Sequence, residues 1–526
     1  MEKLLSIKEA SQWVTDHYGR KTSPSQISYL MQYGHLRKIG NNSNTKIPLE
    51  DLIEYYDSRS LSMIEKWKNK SGDDLNWSLS FDQFSEKERT KHVHRLHPYK
   101  GKFIPQLVEY FLDDHINDFK KEVFFQSGDI VLDPFCGSGT TLVQANELGI
   151  NAIGIDVSKF NSLISNIKVN KHDVFDIHNE IRKITQLFAE LIHNSNSVKF
   201  EQNLLYELNK FNNKFFPSPS FRYKVRKKKI NEWKFGKQKE LEFKKIFHNL
   251  IEKYDLQIHQ DKNETFLDKW YLKPVRNEID FVLKLINEIN NPDTRNILKI
   301  ILSRTVRSCR ATTHSDLATL IKPVTETYYC HKHYKICKPL FSIFSWWQRY
   351  CKDTIKRLSE FDQLRTNTHQ FCLTGDSRNI DIFADIKNYH KDFADLVEKI
   401  KIKGIFSSPP YVGLIDYHEQ HAYAYDLFKY KRQDDLEIGP LFKGKGKEAR
   451  ASYIESISQV LINCKQYLAD DYNIFLVAND KFYIYPTIAE KAGMRIVNKF
   501  KRPVLSRVEK DKHTYSEIIF NLKEEK

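Results

Sequence analysis

Two short runs hold residues able to do chemistry. The first is Val131-Leu-Asp-Pro-Phe-Cys-Gly-Ser-Gly-Thr-Thr141. An apolar stretch ends in Asp133, Pro134 and Phe135 open a tight turn around Gly137 and Gly139, and a helical period begins at Thr140. Glycine lets a backbone approach a ligand closely, and the start of a helix offers unpaired N–H groups. The next apolar stretch, Ala152-Ile-Gly-Ile-Asp156, ends in a second carboxylate. A carboxylate there can accept hydrogen bonds from both ribose hydroxyls of a nucleoside cofactor. The second run is Gly404-Ile-Phe-Ser-Ser-Pro-Pro-Tyr411. Pro409 and Pro410 stiffen the chain and carry no N–H, so nearby carbonyls stay free as acceptors. Ser408 adds a hydroxyl and Tyr411 a flat face on which a base can stack.

The elements that must hold these runs follow from periodicity and turn residues. From about Lys91 the pattern is α/β. A helix is expected over 104–113, a strand over 129–133, a helix over 140–148, a strand over 152–156 and a helix over 161–170. Residues 176 to about 365 are rich in Lys, Asn, Phe and Tyr and mostly helical in period. Alternation returns at Phe371-Cys-Leu-Thr-Gly-Asp376, and strand and helix signals then continue to the end of the chain. Before all this, the first 60 residues form their own pattern. Ser6 caps a helix over 7–17, Thr22-Ser-Pro-Ser caps a second over 26–33, Lys46-Ile-Pro makes a short strand, and a third helix covers 49–56. Helix, turn, helix and small hairpin is the layout of an excisionase or MerR-like helix-turn-helix. The polar stretch Ser58 to Asp74 is the expected exit linker. The division is therefore 1–60, 61–175, 176–365 and 366–526.

Composition narrows the partners. The 526 residues carry 83 Lys and Arg against 68 Asp and Glu, a formal charge of +15, which favours a polyanion such as nucleic acid. Between Phe221 and Lys239 nine Lys or Arg stand against one acid, with Tyr223, Trp233 and Phe235 interleaved. Arg222, Lys224, Arg226, Lys227, Lys228 and Lys229 there read as phosphate contacts, or else as a solvated helix face. Arg304, Arg307 and Arg310 recur at helical spacing and read as one basic face. Seven scattered cysteines make a disulfide framework a poor fit and point to a reducing cytoplasm. No apolar stretch approaches a membrane span, and the first residues lack the features of a secretory signal.

Together the two chemical runs resemble the amino-group DNA methyltransferases that use S-adenosylmethionine. Ser-Pro-Pro-Tyr is the form usual in cytosine-N4 enzymes, whereas adenine-N6 enzymes usually carry Asp-Pro-Pro-Tyr or Asn-Pro-Pro-Tyr. His97-Pro-Tyr-Lys-Gly-Lys-Phe-Ile-Pro105 is similar to the family's N-terminal cofactor motif, which places Tyr99 and Lys102 at the cofactor. Thr374-Gly-Asp376 resembles the motif whose Asp contacts the cofactor adenine. The likeness covers about 90–175 and 370–526. It implies a Rossmann-like class I methyltransferase sheet, with 176–365 inserted as a largely helical target-recognition domain. That block falls after the Asp156 unit and before Gly375-Asp376, earlier than is usual in the family.

The implied activity is site-specific methylation of cytosine N4 in duplex DNA, by a monomer paired functionally with a restriction endonuclease. Adenine-N6 methylation, and a DNA-binding regulator with a degenerate methyltransferase fold, are the alternatives. In the implied mechanism the base is flipped out, Tyr411 stacks on it, and the Ser408 hydroxyl and Pro409 carbonyl accept its hydrogen bonds. No covalent enzyme intermediate is needed. Carbon-5 methylation usually takes its thiolate from a Pro-Cys pair, and none of the 16 prolines precedes a cysteine. Cys136 reads as a small packing residue. Asp416, His418, Glu419 and His421 follow the catalytic loop as proton acceptors or as ordinary loop hydrogen-bonding groups. Cys330-His-Lys-His-Tyr-Lys-Ile-Cys337, with Cys309 and His314 nearby in sequence, offers zinc-type ligands at closer spacing than common zinc modules, and no metal is assigned. The N-terminal module reads as a DNA binder or as a docking module.

Overall fold

The computed structural model describes residues 3–18, 22–40, 44–57, 75–193, 195–314, 316, 320–504 and 515–525. The expected linker Ser58 to Asp74, and Asn41 to Ser43 of the expected turn, lie outside them. The chain divides into two compact units, one of Met1–Lys70, Leu187–Phe281 and Ser308–Phe344, the other of Ser71–Gln186, Val282–Arg307 and Ser345–Lys526.

The second unit is built on a seven-stranded sheet. Its strands are β1 (Ile130–Asp133), β2 (Asn151–Asp156), β3 (Gln370–Thr374), β4 (Ile402–Ser407), β5 (Leu468–Ala478), β6 (Met494–Pro503) and β7 (Ser516–Glu524). They lie in the order β6-β7-β5-β4-β1-β2-β3. The first five are parallel, and β7 runs antiparallel to both its neighbours. All four residues of β1 are buried, as expected of a central strand covered on both faces. Its Ile130 and Leu132 share a core with Ile153, Ile405, Ile474, Ile457 and Leu461. Phe111, Phe406, Phe475 and Phe500 form a second aromatic cluster. The chain leaves β1 toward β2 and β3, then returns to β4 on the other side. The gap between the ends of β1 and β4 is a topological switch point, where α/β sheets bind their ligands.

The other unit begins with helices Ile7–Tyr18, Pro24–Gln32 and Leu49–Asp57, and a strand pair Leu4–Ser6 with Lys46–Pro48. Ser23 and Gln26 close a capping box at the second helix. Ala10, Val14, Ile27, Leu36, Ile47 and Leu52 are fully buried in its core. The three helices and the strand at Lys46–Pro48 lie within two residues of their expected places, whereas the strand Leu4–Ser6 is an addition to the expected pattern.

The expected single block 176–365 is divided differently. Residues 187–281 and 308–344 group with the N-terminal residues, whereas 282–307 and 345–365 group with the sheet. Side-chain pairing explains the second group. Asp176 accepts from Asn291 at 2.9 Å, and His172 pairs with Asp293 at 2.7 Å. The helix Pro292–Ser308 buries Ile297, Ile300 and Ile301.

The predicted DNA contacts need two corrections. Arg304 is buried, pairs with Asp353, donates to Thr354 Oγ1 at 2.7 Å and lies over the Tyr350 ring. Arg310 is buried as well, so neither presents its charge to a phosphate. Arg307 is only half-buried. In the basic run, three side chains bind the N-terminal residues of their own unit. Arg222 donates to the Gln32 carbonyl at 2.9 Å and covers the Tyr33 ring, Arg226 donates to the Tyr33 carbonyl at 2.8 Å, and Lys227 pairs with Glu54 at 2.6 Å. Arg222 and Arg226 thereby satisfy carbonyls at the end of a helix, which lack intrahelical donors. Lys224, Lys228 and Lys229 are exposed.

Candidate active site

The first run folds as its residue types require. Gly137 and Gly139 take positive φ, +55° and +73°, which a side chain adopts only under strain. Gly139 ends the turn and begins the helix Thr140–Glu147. A Cβ at Gly137 would meet the Tyr99 ring at 3.0–3.1 Å, and one at Gly139 would meet Ser165 at 2.9–3.1 Å.

Asp133 turns out to be a structural knot. Its carboxylate accepts from Ser407 Oγ at 2.5 Å, Thr141 Oγ1 at 2.6 Å and the Phe135 N–H at 3.2 Å. It thereby joins the end of β1, the following helix and the end of β4. Burial pushes its pKa up to about 6, against the pull of those three donors. Asp133 is 1% exposed and does not line the cavity beside Asp156, so the cofactor contact expected of it gives way to this internal role.

Asp156 keeps its expected place at the end of β2, beside a cavity. Its oxygens accept from the Gly137 N–H at 2.8 Å, the Ser158 N–H at 2.8 Å and Asn161 Nδ2 at 3.1 Å. These fix the carboxylate's orientation, and burial raises its pKa to about 6. Tyr99, Lys102, Pro134, Phe135, Gly137 and Asp376 also line this cavity. Tyr99 stacks on His421, with ring centroids 5.8 Å apart. Lys102 donates its Nζ to the His94 carbonyl at 2.5 Å, and burial lowers its pKa to about 8. The late position of Thr374-Gly-Asp376 in the chain is resolved by the sheet. β3 pairs with β2 so that Thr374 faces Asp156, and the Gly375 N–H donates to the Asp156 carbonyl at 3.0 Å. The Asp376 carboxylate is held by Arg378, whose Nη2 lies 2.6 Å away.

The Ser-Pro-Pro-Tyr loop leaves the end of β4, across the switch point from β1. Ser408 and Pro410 line the same cavity. Ser408 donates its hydroxyl proton to the Val477 carbonyl at 3.1 Å, which leaves its oxygen lone pairs as acceptors. Pro409 is buried. The Tyr411 hydroxyl donates to Glu517 Oε1 on β7 at 2.9 Å, and burial raises its pKa well above the ordinary phenol value. Ser408 therefore borders both the cavity and the loop.

Of the polar residues after the loop, Asp416 accepts from the Phe442 N–H at 3.1 Å and Glu419 pairs with Arg432 at 2.9 Å, both ordinary loop contacts. His418 is buried against Glu437, which also accepts from its N–H at 2.6 Å. Sequence reasoning missed Arg378, Glu437 and Glu517. Each sits in a segment with an unremarkable local pattern, and each matters through a partner brought to it by the sheet.

The DNA methylase family of the N6/N4 type matches residues 26–167. The type II methyltransferase M.MjaII of Methanocaldococcus jannaschii is 44% identical over 528 residues, covering 100% of this chain and 98% of that protein. M.MvaI of Kocuria varians is 30% identical over 145 residues, 26% of this chain and 30% of its own length. M2.DpnII of Streptococcus pneumoniae is 45% identical over 65 residues, 12% and 22% respectively. No solved structure matches. The methyl donor of this family is S-adenosylmethionine. The residues present fit it. Besides the Asp156 carboxylate, the cavity lining includes Ser138 and Asn161, whose buried Oγ and Oδ1 have no partner among the described residues. With its mostly parallel sheet, its glycine cradle and its full-length likeness to M.MjaII, the chain belongs to the type II DNA methyltransferases of restriction–modification systems.

Proposed function

We propose that this enzyme methylates the exocyclic N4 of a cytosine flipped out of duplex DNA, at a specific site, as the protective half of a restriction–modification pair. The observation that carries the reading is the Ser408-Pro409-Pro410-Tyr411 loop, whose Ser408 borders the cofactor cavity. Held beside Asp156, S-adenosylmethionine would supply an electrophilic methyl group for direct transfer to the amino nitrogen. The chain's own residues orient that nitrogen. Ser408 has its proton committed to Val477, so its oxygen accepts from N4–H. The Pro409 carbonyl accepts a second hydrogen bond. The Tyr411 ring, anchored through its hydroxyl to Glu517, stacks on the base. Catalysis comes from positioning and local electrostatics, with no covalent enzyme intermediate.

The test is methylation of mixed-sequence duplex DNA with labelled S-adenosylmethionine, followed by digestion and nucleoside mass spectrometry. N4-methylcytosine is the expected product. N6-methyladenine would overturn the choice of base, and no product on DNA would overturn the reading altogether.

The cofactor site has a pH dependence. Ribose hydroxyls donate best to an ionised Asp156, whose pKa is raised to about 6 by burial. Ionisation is complete above that value and lost as pH falls through it. The Kd for S-adenosylmethionine is expected to be flat at neutral pH and to rise by up to about tenfold per unit on the acid side. Calorimetric titration across that range checks this, and a flat profile would remove Asp156 from the site.

On the DNA side, the exposed Lys224, Lys228 and Lys229 are proposed phosphate contacts. Replacing Lys228 and Lys229 by Gln is expected to weaken binding to any duplex and to lower the salt slope of log K by about 2. An unchanged slope returns them to the solvated surface. The helix Pro24–Gln32 exposes Ser25, Gln26 and Tyr29, and is proposed to contact DNA as part of a helix-turn-helix. No helix among the described residues is long and apolar enough to cross a membrane. All seven cysteines are free and buried, in keeping with a proposed reducing cytoplasm. A monomeric state is proposed likewise.

A further inference from the structure

The run Cys330 to Cys337 folds into a hairpin, Tyr328–Cys330 paired antiparallel with Lys335–Cys337. At its turn the Cys330 carbonyl accepts from the N–H groups of His333 at 3.1 Å and Tyr334 at 2.7 Å, and Tyr334 takes φ +55°. This tight turn brings the His333 ring back over the strands. Its Nδ1 lies 3.6 Å from Cys330 Sγ and 3.6 Å from Cys337 Sγ. His314 arrives from the preceding loop, with its Nδ1 3.8 Å from Cys330 Sγ and its ring centroid 4.3 Å from that of His333. One ligand atom from each of the four residues lies within 4.8 Å of all the others. Tetrahedral zinc, with Zn–S about 2.3 Å and Zn–N about 2.0–2.1 Å, sets its sulfur–nitrogen edges at about 3.6 Å.

We propose that His314, Cys330, His333 and Cys337 form a structural zinc site, a Cys2His2 set that fastens the loop carrying His314 to the hairpin. The geometry separates the two histidines of the run, which spacing could not do. His331 is exposed, stacks on Trp233 with centroids 5.5 Å apart and pairs with Glu232, so it lies outside the set. Two thiolates and two imidazoles in a tetrahedral arrangement select zinc over harder cations. Four protein ligands leave no open position, which makes the site structural. The need for a staple is visible in the packing. The apolar cluster around the two cysteines consists of Tyr328, Cys330 and Cys337, with Val324 against it. A cluster that small gives a loop little hold. One contact competes with the metal, because the Tyr328 hydroxyl lies 2.8 Å from His314 Nδ1.

The test uses the full-length protein, loaded with Zn²⁺, desalted and analysed for metal. About one zinc per chain is expected. Cys337→Ser and His333→Ala should lose most of it, His331→Ala and Cys309→Ser should keep it, and Tyr328→Phe should keep it or bind more tightly. Because a ligand variant can fail to fold, wild-type protein stripped with chelator is also titrated with Co²⁺. Thiolate-to-cobalt charge transfer with tetrahedral absorption is expected. The proposal is overturned if wild-type protein holds less than a tenth of an equivalent of zinc and gives no such bands. It is also overturned if His331→Ala loses as much metal as His333→Ala, or if peptide mapping recovers a Cys330–Cys337 disulfide.

Discussion

Tyr411→Ala is expected to lower kcat on the order of 10²-fold or more, with the Kd for S-adenosylmethionine within about threefold of wild type. Tyr411 does not line the cofactor cavity, so its loss leaves that cavity's contacts in place. What it removes is the proposed stacking face for the target base, which amounts to about 1–3 kcal/mol by comparison with other base–aromatic contacts. It also frees the amino nitrogen to wander, and a misplacement of about 1 Å can cost about 10²-fold. Tyr411→Phe separates the two roles. It keeps the ring and deletes only the hydrogen bond to Glu517, so a loss of about tenfold or less is expected. Single-turnover methylation of a duplex, with calorimetry for the cofactor, measures both. Near-normal turnover by Tyr411→Ala would remove the loop from the catalytic role.

The complementary variant is Gly137→Asp, which should abolish cofactor binding and spare DNA. The residue sits at φ +55°, a conformation that strains any side chain by about 1–3 kcal/mol. The new Cβ would press on the Tyr99 ring at 3.0–3.1 Å. The new carboxylate would stand near Asp156, to which the Gly137 N–H donates at 2.8 Å. Together these predict a Kd for S-adenosylmethionine raised by at least about 100-fold, near 2.7 kcal/mol. Duplex affinity in the absence of cofactor should stay within about twofold. Calorimetry and a fluorescence anisotropy assay read the two quantities separately. An unchanged cofactor Kd would sink the cradle assignment. Cofactor loss combined with full biological function would favour a regulator over an enzyme.

The strand-turn-helix at Asp133 to Thr141 and the helices of the first 57 residues were legible because their signals are local. Glycines, caps and apolar periods act over a few residues, and chemistry and structure there share one short segment. Pairing across the sheet was not legible. Glu517 meets Tyr411 over 106 residues, and Ser407 meets Asp133 over 274. Such partners depend on strand order, which no local pattern encodes. The carboxylate of Asp133 reads as a ligand group in the sequence, and only the fold shows it buried away from the cavity. Charge misled for a similar reason. Arg304 and Arg310 recur at helical spacing, but spacing tells which residues share a face and not whether that face is wet. Arg222 and Arg226 belong to a basic run, yet helix-end carbonyls near the N-terminus use their donors. The boundaries near 187, 281, 308 and 344 were hidden because the helices on both sides share one composition.

The grip of Arg222, Arg226 and Lys227 on the N-terminal residues also sets an order of events during synthesis. Residues 3–57 are made about 165 residues before Arg222. At roughly 5–20 residues per second, the ribosome needs on the order of 10–30 s to deliver that clamp. During that interval the nascent module must persist on its own small core of Ala10, Val14, Ile27, Leu36, Ile47 and Leu52. Its capping box, paired strands and buried leucines therefore serve a second purpose. They keep an early-born piece intact until the chain that will secure it has been translated.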